Sequence, residues 1–138
     1  MSFFRRRGRP NVVVRARLAL EIVVLYGRVR RAMPRQPFGA TLASLRAPLA
    51  DRSGPDDRLL AYRLAWAVER VLARLPTDSR CLYRTLVLAG LLARRGIPVR
   101  VVIGVCTQPH FTAHSWIERD GEALLPTGGP GFRRLTEL

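Results

Sequence analysis

From Leu82 to Arg95 the chain is almost wholly apolar, and no other stretch limits the possible folds as much. Leu82, Leu86, Val87, Leu88, Leu91 and Leu92 fall on every side of a helix, so other elements must cover it from most directions. The run is too short to cross a bilayer, which takes about 20 apolar residues. Asp78 and Ser79 stand before it as candidate caps, Gly96 follows its end, and Pro98 lies just beyond. A central, covered helix is therefore expected. Cys81 falls in its first turn, where unpaired backbone N–H groups and the positive end of the helix dipole favour an anion.

The remaining elements line up on either side. Residues 1–10 form a basic arm with four arginines. Asn11 is placed to cap a helix running from Val12 to about Met33 and stopped at Pro34. Its apolar stripe is Val14, Leu18, Ile22, Leu25 and Val29. A loop covers Pro34 to Gly39, and Thr41 to Leu49 predicts a short helix. Asp51 to Pro55 reads as a turn-rich linker. Asp56 and Asp57 then open a helix reaching Leu75, with Leu60, Leu64, Ala67, Val68 and Val71 as its buried stripe, Trp66 nearby, and Pro76 as its stop.

Beyond the central helix the pattern changes from helical spacing to β-branched runs. Val99 to Cys106 predicts a strand interrupted only by Gly104, and Thr107 to His110 a turn. Phe111 to Arg119 predicts a second strand, and Asp120–Gly121 a two-residue hairpin turn into Glu122–Leu125. The tail is glycine-rich loop and a short end, Phe132–Leu138. No internal repeat is present. Helices first and an antiparallel sheet last make an α+β domain, a helical N-terminal half packed on a small antiparallel sheet. At 138 residues and 48% apolar content, residues 1–138 suit one domain with one core.

Charge bounds the partners. The formal net charge is +14, and the 24 basic residues are all arginine. That excess points to an acidic partner: a nucleic acid, a membrane surface, or an acidic peptide or protein. No helix-turn-helix spacing, zinc module or aromatic-interleaved basic strand stands out, so no specific nucleic-acid target is expected. Arg15, Arg17 and Glu21 interrupt the apolar run that an export signal needs, so an untargeted cytoplasmic protein is expected, with weak attraction to membrane surfaces. Two cysteines in different settings, Cys81 and Cys106, fit a reducing compartment better than a disulfide.

The chemistry concentrates in Cys81 and His114. A thiol at a helix mouth is the kind that acts as a nucleophile, because the reactive form is the thiolate. His114, on the second strand, is a candidate base and acid for that thiol. By alternation His114, Trp116 and Glu118 share one face of the strand, and Ala113, Ser115 and Ile117 the other. Trp116 either walls the site or packs in the core. Arg80 and Arg84 flank Cys81 and are candidates for docking peptide carboxylates or simply solvated. Gln108 and the backbone N–H of Cys81 are alternative oxyanion donors. Cys106 reads as structural. A Cys81, Cys106, His110, His114 zinc site lacks the usual ligand spacing, and no metal or other cofactor is expected.

Four segments carry a resemblance: Cys81–Leu82–Tyr83–Arg84–Thr85–Leu86, Leu91–Leu92–Ala93–Arg94–Arg95–Gly96–Ile97, Val102–Ile103–Gly104–Val105, and Ala113–His114–Ser115–Trp116–Ile117–Glu118–Arg119–Asp120–Gly121. In this order and spacing, over about residues 76–125, the chain resembles the small transglutaminase-like cysteine peptidases of lasso-peptide biosynthesis. The resemblance implies that Cys81 is the nucleophile and His114 the general base and acid. It implies removal of the leader from a ribosomally made precursor, beside a separate leader-binding protein and a macrolactam-forming cyclase. That family usually has an acidic residue about a dozen positions after the histidine; this chain has Leu125–Pro126–Thr127 there. If Arg119 pairs with Glu122, the register extrapolates to Thr127 opposite His114, which makes Thr127 the candidate orienter of a dyad. Glu118 reaches His114 only around the Trp116 indole, and Asp120 is better explained as the turn residue. The competing reading is a basic, non-catalytic protein that binds leader, partner or nucleic acid.

Overall fold

The computed structural model describes residues 11–46, 57–75, 81–125, 127 and 131–138. Four helices precede a four-stranded antiparallel sheet: α1 (Val12–Ala32), α2 (Phe38–Arg46), α3 (Asp57–Ala73), α4 (Cys81–Ala93), β1 (Arg100–Cys106), β2 (Thr112–Arg119), β3 (Glu122–Ala123) and β4 (Arg133–Glu137), in the sheet order β3-β2-β1-β4. This is the α+β architecture expected. The anticipated linker at residues 51–55, the caps Asp78 and Ser79, and Arg80 lie outside the described residues.

Helix α4 takes the central place that its composition demands. It packs against α1, α2, α3 and strand β2, and every residue from Thr85 to Ala93 is buried. Its end is a Schellman turn: Gly96, at φ 68°, donates its N–H to the Ala93 carbonyl at 3.0 Å, and Ile97 donates to the Leu92 carbonyl at 3.0 Å. A paired carboxylate secures α1 to this end, with Glu21 accepting from Arg95 at 3.1 and 2.9 Å. Arg46 at the end of α2 donates to the carbonyls of Val99 (3.0 Å) and Leu138 (2.8 Å), tying the helical layer to the sheet.

Several local expectations shift. Asn11 occupies the N-cap position of α1 without a side-chain cap hydrogen bond. The buried part of α1 is Ile22, Leu25, Tyr26 and Val29, whereas Val14 is 57% exposed. In α3 the core face is Ala61, Leu64, Ala65, Val68 and Leu72, and Leu60 is exposed. Both helices carry apolar residues beyond one stripe, so spacing alone does not select the face that meets α4. Helix α2 begins at Phe38, earlier than Thr41.

In the sheet, Asp120 (φ 50°) and Gly121 (φ 80°) make the two-residue turn with both central residues left-handed, and Arg119 pairs with Glu122. The described ladder reaches Ala123. Strand β3 has only two residues, extended by the Leu124 N–H donating to the Ile117 carbonyl at 2.8 Å. The C-terminal segment, read from sequence as a loop end, is strand β4 on the other side of β1. All five of its residues are exposed, so no apolar alternation announced it. The sheet is covered on both sides at its centre, because Ser115, Trp116 and Ile117 are consecutive in β2 and all buried.

Candidate active site

Cys81 is the first residue of α4 and is half-buried. One turn further along the same helix stands Thr85, the only hydroxyl residue in a run that is otherwise apolar after Arg84. Thr85 is fully buried, and its Oγ1 lies 3.1 Å from Ser115 Oγ, which is also buried. Two desolvated hydroxyls that satisfy each other form a polar pin between α4 and β2. The pin sits one turn from Cys81 and immediately next to His114.

The same contact decides which face of the sheet carries α4. Ser115 points at the helix, so by alternation Ile117 shares that face and His114, Trp116 and Glu118 project from the opposite one. There the imidazole stacks on Trp116 (centroids 6.1 Å, planes 26° apart) and lies 5.6 Å from the Phe132 ring. Among the described residues no hydrogen bond joins the Cys81 thiol to the His114 imidazole. Described pairing along β2 on the β3 side covers Glu118 and Arg119, and the Leu124 N–H continues it onto the Ile117 carbonyl.

Trp116 is 5% exposed and belongs to the core, where it backs the histidine. Its indole N–H donates to Glu118 Oε1 at 2.9 Å, and Arg134 donates to both Glu118 oxygens at 2.7 and 3.0 Å. Glu118 is thus committed to the indole and to a guanidinium, and is not the acid behind His114. Gly104 pairs with His114 across the ladder. A Cβ at Gly104 would stand 2.6 Å from Trp116 Cη2, so the indole lies over bare backbone. Gly104 therefore sets the depth of the aromatic layer that holds the imidazole.

Thr127 is half-buried beyond the end of β3. The described pairing reaches Ala123, with the Leu124 N–H on the Ile117 carbonyl in the same register, and the neighbours of Thr127 lie outside the described residues. Arg84 is partly buried and faces α3, its Nη1 3.7 Å from Glu69 Oε1; that oxygen is buried and makes no hydrogen bond among the described residues. Cys106 donates its thiol to the Gln108 carbonyl at 3.1 Å, while Gln108 and His110 are exposed. Among the described residues no group of three or more His, Cys, Asp or Glu side chains is placed to hold a metal ion.

Thr85, Ser115, Gly104, Phe132 and Arg134 are the participants that sequence reasoning passed over. A lone hydroxyl in an apolar helix and a glycine in a β-branched strand were the available signals for Thr85 and Gly104. Phe132 and Arg134 reach the site only through the pairing of β4.

A half-buried cysteine opening a buried helix, docked on an antiparallel strand that carries a histidine, is an arrangement that suits a cysteine nucleophile. The family comparison agrees: the model of the transglutaminase-like superfamily matches residues 23–137, and the chain belongs to that superfamily, whose members are usually cysteine peptidases or acyltransferases. The match takes in the C-terminal part of α1 and all of β4, well beyond the segments that carried the resemblance in sequence. Comparison with curated proteins and with solved structures gives no match. Among the described residues no helix is long and apolar enough to cross a membrane.

Proposed function

We propose that this protein is a cysteine peptidase that removes the leader from a ribosomally made lasso-peptide precursor in the cytoplasm. The observation that carries the reading is Cys81 opening α4 while Thr85, one turn on, is pinned to the neighbour of His114. In the proposed reaction the Cys81 sulfur, its proton passed to His114, attacks the carbonyl carbon of the last leader residue. The carbon–sulfur bond forms, and the carbonyl oxygen takes negative charge near the N–H groups of the first turn of α4. Collapse breaks the peptide C–N bond, and His114 returns the proton to the departing core amine. Water, deprotonated by His114, then cleaves the thioester and frees the leader. The reading requires the Cys81 sulfur, at the end of α4, to reach the imidazole around β2, because alternation sets His114 on the other side of the strand from Ser115.

No aspartate or glutamate is assigned as the third member. Stacking on Trp116 and contact with Phe132 help to orient the imidazole, and Thr127 is retained as a candidate hydrogen-bond acceptor for it. Loss of the acid costs about 10⁴-fold in the serine triad, and a thiol nucleophile is less dependent on it. Arg84, held by Glu69, is a candidate contact for a peptide carboxylate. The partners of this reading are the precursor leader, a leader-binding recognition protein and the macrolactam-forming cyclase. The test is to mix precursor, recognition protein and enzyme and weigh the products by mass spectrometry. Leader and core masses are expected with the parent protein and only intact precursor with Cys81→Ala. Undiminished cleavage by Cys81→Ala ends the proposal, and leader binding without cleavage by the parent protein leaves a non-catalytic scaffold.

A further inference from the structure

The N-terminal half of α1 and the C-terminal half of α3 enclose a groove of about 400 Å³. Its floor is aliphatic, with Ala16, Leu18, Ala67 and Val71. Its rim is cationic: Arg15 from α1, Arg70 from α3, and Arg74 just after α3. No carboxylate lines it, and among the described residues none of these three arginines has an ion-pair partner. Trp66 stands at the rim, 60% exposed, with the Arg70 guanidinium 4.5 Å from its ring centroid. A large exposed indole beside unpaired arginines is the composition of a binding hot spot rather than of an ordinary solvated face.

We propose that this groove docks an acidic segment of a partner polypeptide, one whose apolar anchors recur along one face of a helix. The aliphatic floor takes the anchors, and the three guanidinium groups take carboxylates that flank them. Charge selects this occupant. The chain's own residues 1–10 hold two phenylalanines, but also four arginines that the cationic rim would repel. A second copy of a chain of net charge +14 meets the same repulsion. A lipid surface matches the charge, but it is flat and does not follow a cleft of side-chain width. Nucleic acid supplies phosphates, yet the aliphatic floor offers no hydrogen-bonding group to a base. The inference goes beyond the peptidase reading and holds whether or not Cys81 is a nucleophile.

The exposed Trp66 reports on the groove directly, because the other tryptophan, Trp116, is buried. The full chain is titrated with a synthetic peptide bearing leucines at i, i+3, i+4 and i+7 and glutamates elsewhere, and with its glutamine counterpart. A blue shift of Trp66 emission is expected with the glutamate peptide, with at least tenfold weaker binding of the glutamine peptide. Arg70→Glu with Arg74→Glu is expected to weaken the glutamate peptide at least tenfold with unchanged circular dichroism. Ala67→Phe, which fills the floor without changing charge, is expected to block the shift. Equal binding of both peptides, or none, overturns the proposal. So does a Trp66 shift produced only by phosphatidylglycerol vesicles, or by self-association in sedimentation. A shift of the unliganded protein on Phe3→Ser with Phe4→Ser assigns the groove to the chain's own arm and also overturns it.

Discussion

Replacing Gly104 by alanine tests the account of how the imidazole is held. The added Cβ meets Trp116 Cη2 at 2.6 Å, Cζ3 at 2.7 Å and the Arg133 carbonyl oxygen at 3.2 Å. Ordinary contact begins near 3.4 Å, so the edge of the indole must retreat by about 0.8 Å, the difference between 3.4 and 2.6 Å. Its freedom to retreat is small, since its N–H is held by Glu118 at 2.9 Å and Glu118 is held by Arg134. The third contact is backbone in β4, which cannot swing aside. Overpacking of this kind costs about 1–3 kcal/mol, and a tethered ring against a backbone oxygen places Gly104→Ala at about 2–3 kcal/mol. An unfolding entropy of about 2.1 cal/mol/K per residue, for a chain of this length, converts that to a fall in Tm of about 6–10 °C. Thermal unfolding followed by far-UV circular dichroism measures it, and the near-UV tryptophan band should change as the indole moves. Leader cleavage, where present, should fall in kcat more than it rises in KM, because the imidazole loses its stacking partner. A Tm within about 1 °C of the parent, with an unchanged near-UV band, would refute the packing argument.

The remaining expectations concern the pin and the acid side of the pH range. Thr85→Val strands the Ser115 hydroxyl in the core and should cost about 1–3 kcal/mol, whereas adding Ser115→Ala should recover part of it. A double-mutant cycle in urea that proves additive would count against the pin. The Glu21 carboxyl is held below its ordinary value, first by the hydrogen bond from Arg95 and then by the charges of Arg95 and Arg94 against the opposing effect of burial. A depressed carboxyl stabilises the fold fully above its unfolded value of about 4.3, and this contribution is lost as pH falls through the lower folded value. Glu21→Gln should therefore destabilise at neutral pH and narrow its gap to the parent protein below about pH 4. A gap that stays constant on acidification would refute the assignment.

What the sequence by itself determined is local or compositional. A helix apolar on all sides had to be central, and α4 is packed by three helices and a strand. Gly96 and Asp120–Gly121 stop a helix and turn a hairpin through left-handed backbone, which depends on little beyond those residues. The order of helices before antiparallel strands followed from the change in apolar period. Tertiary structure alone decided which face of α1 and α3 is buried, because each offers apolar residues on more than one side and only the partner helix chooses. Strand β4 likewise exists through pairing with β1, a partner distant in sequence, and its polar residues carry no signature of their own. The strand's alternation put His114 and Ser115 on opposite faces from the start. Which of those faces meets the cysteine helix was settled by a single buried contact between two hydroxyls, a relation between residues far apart in the chain that no local pattern encodes.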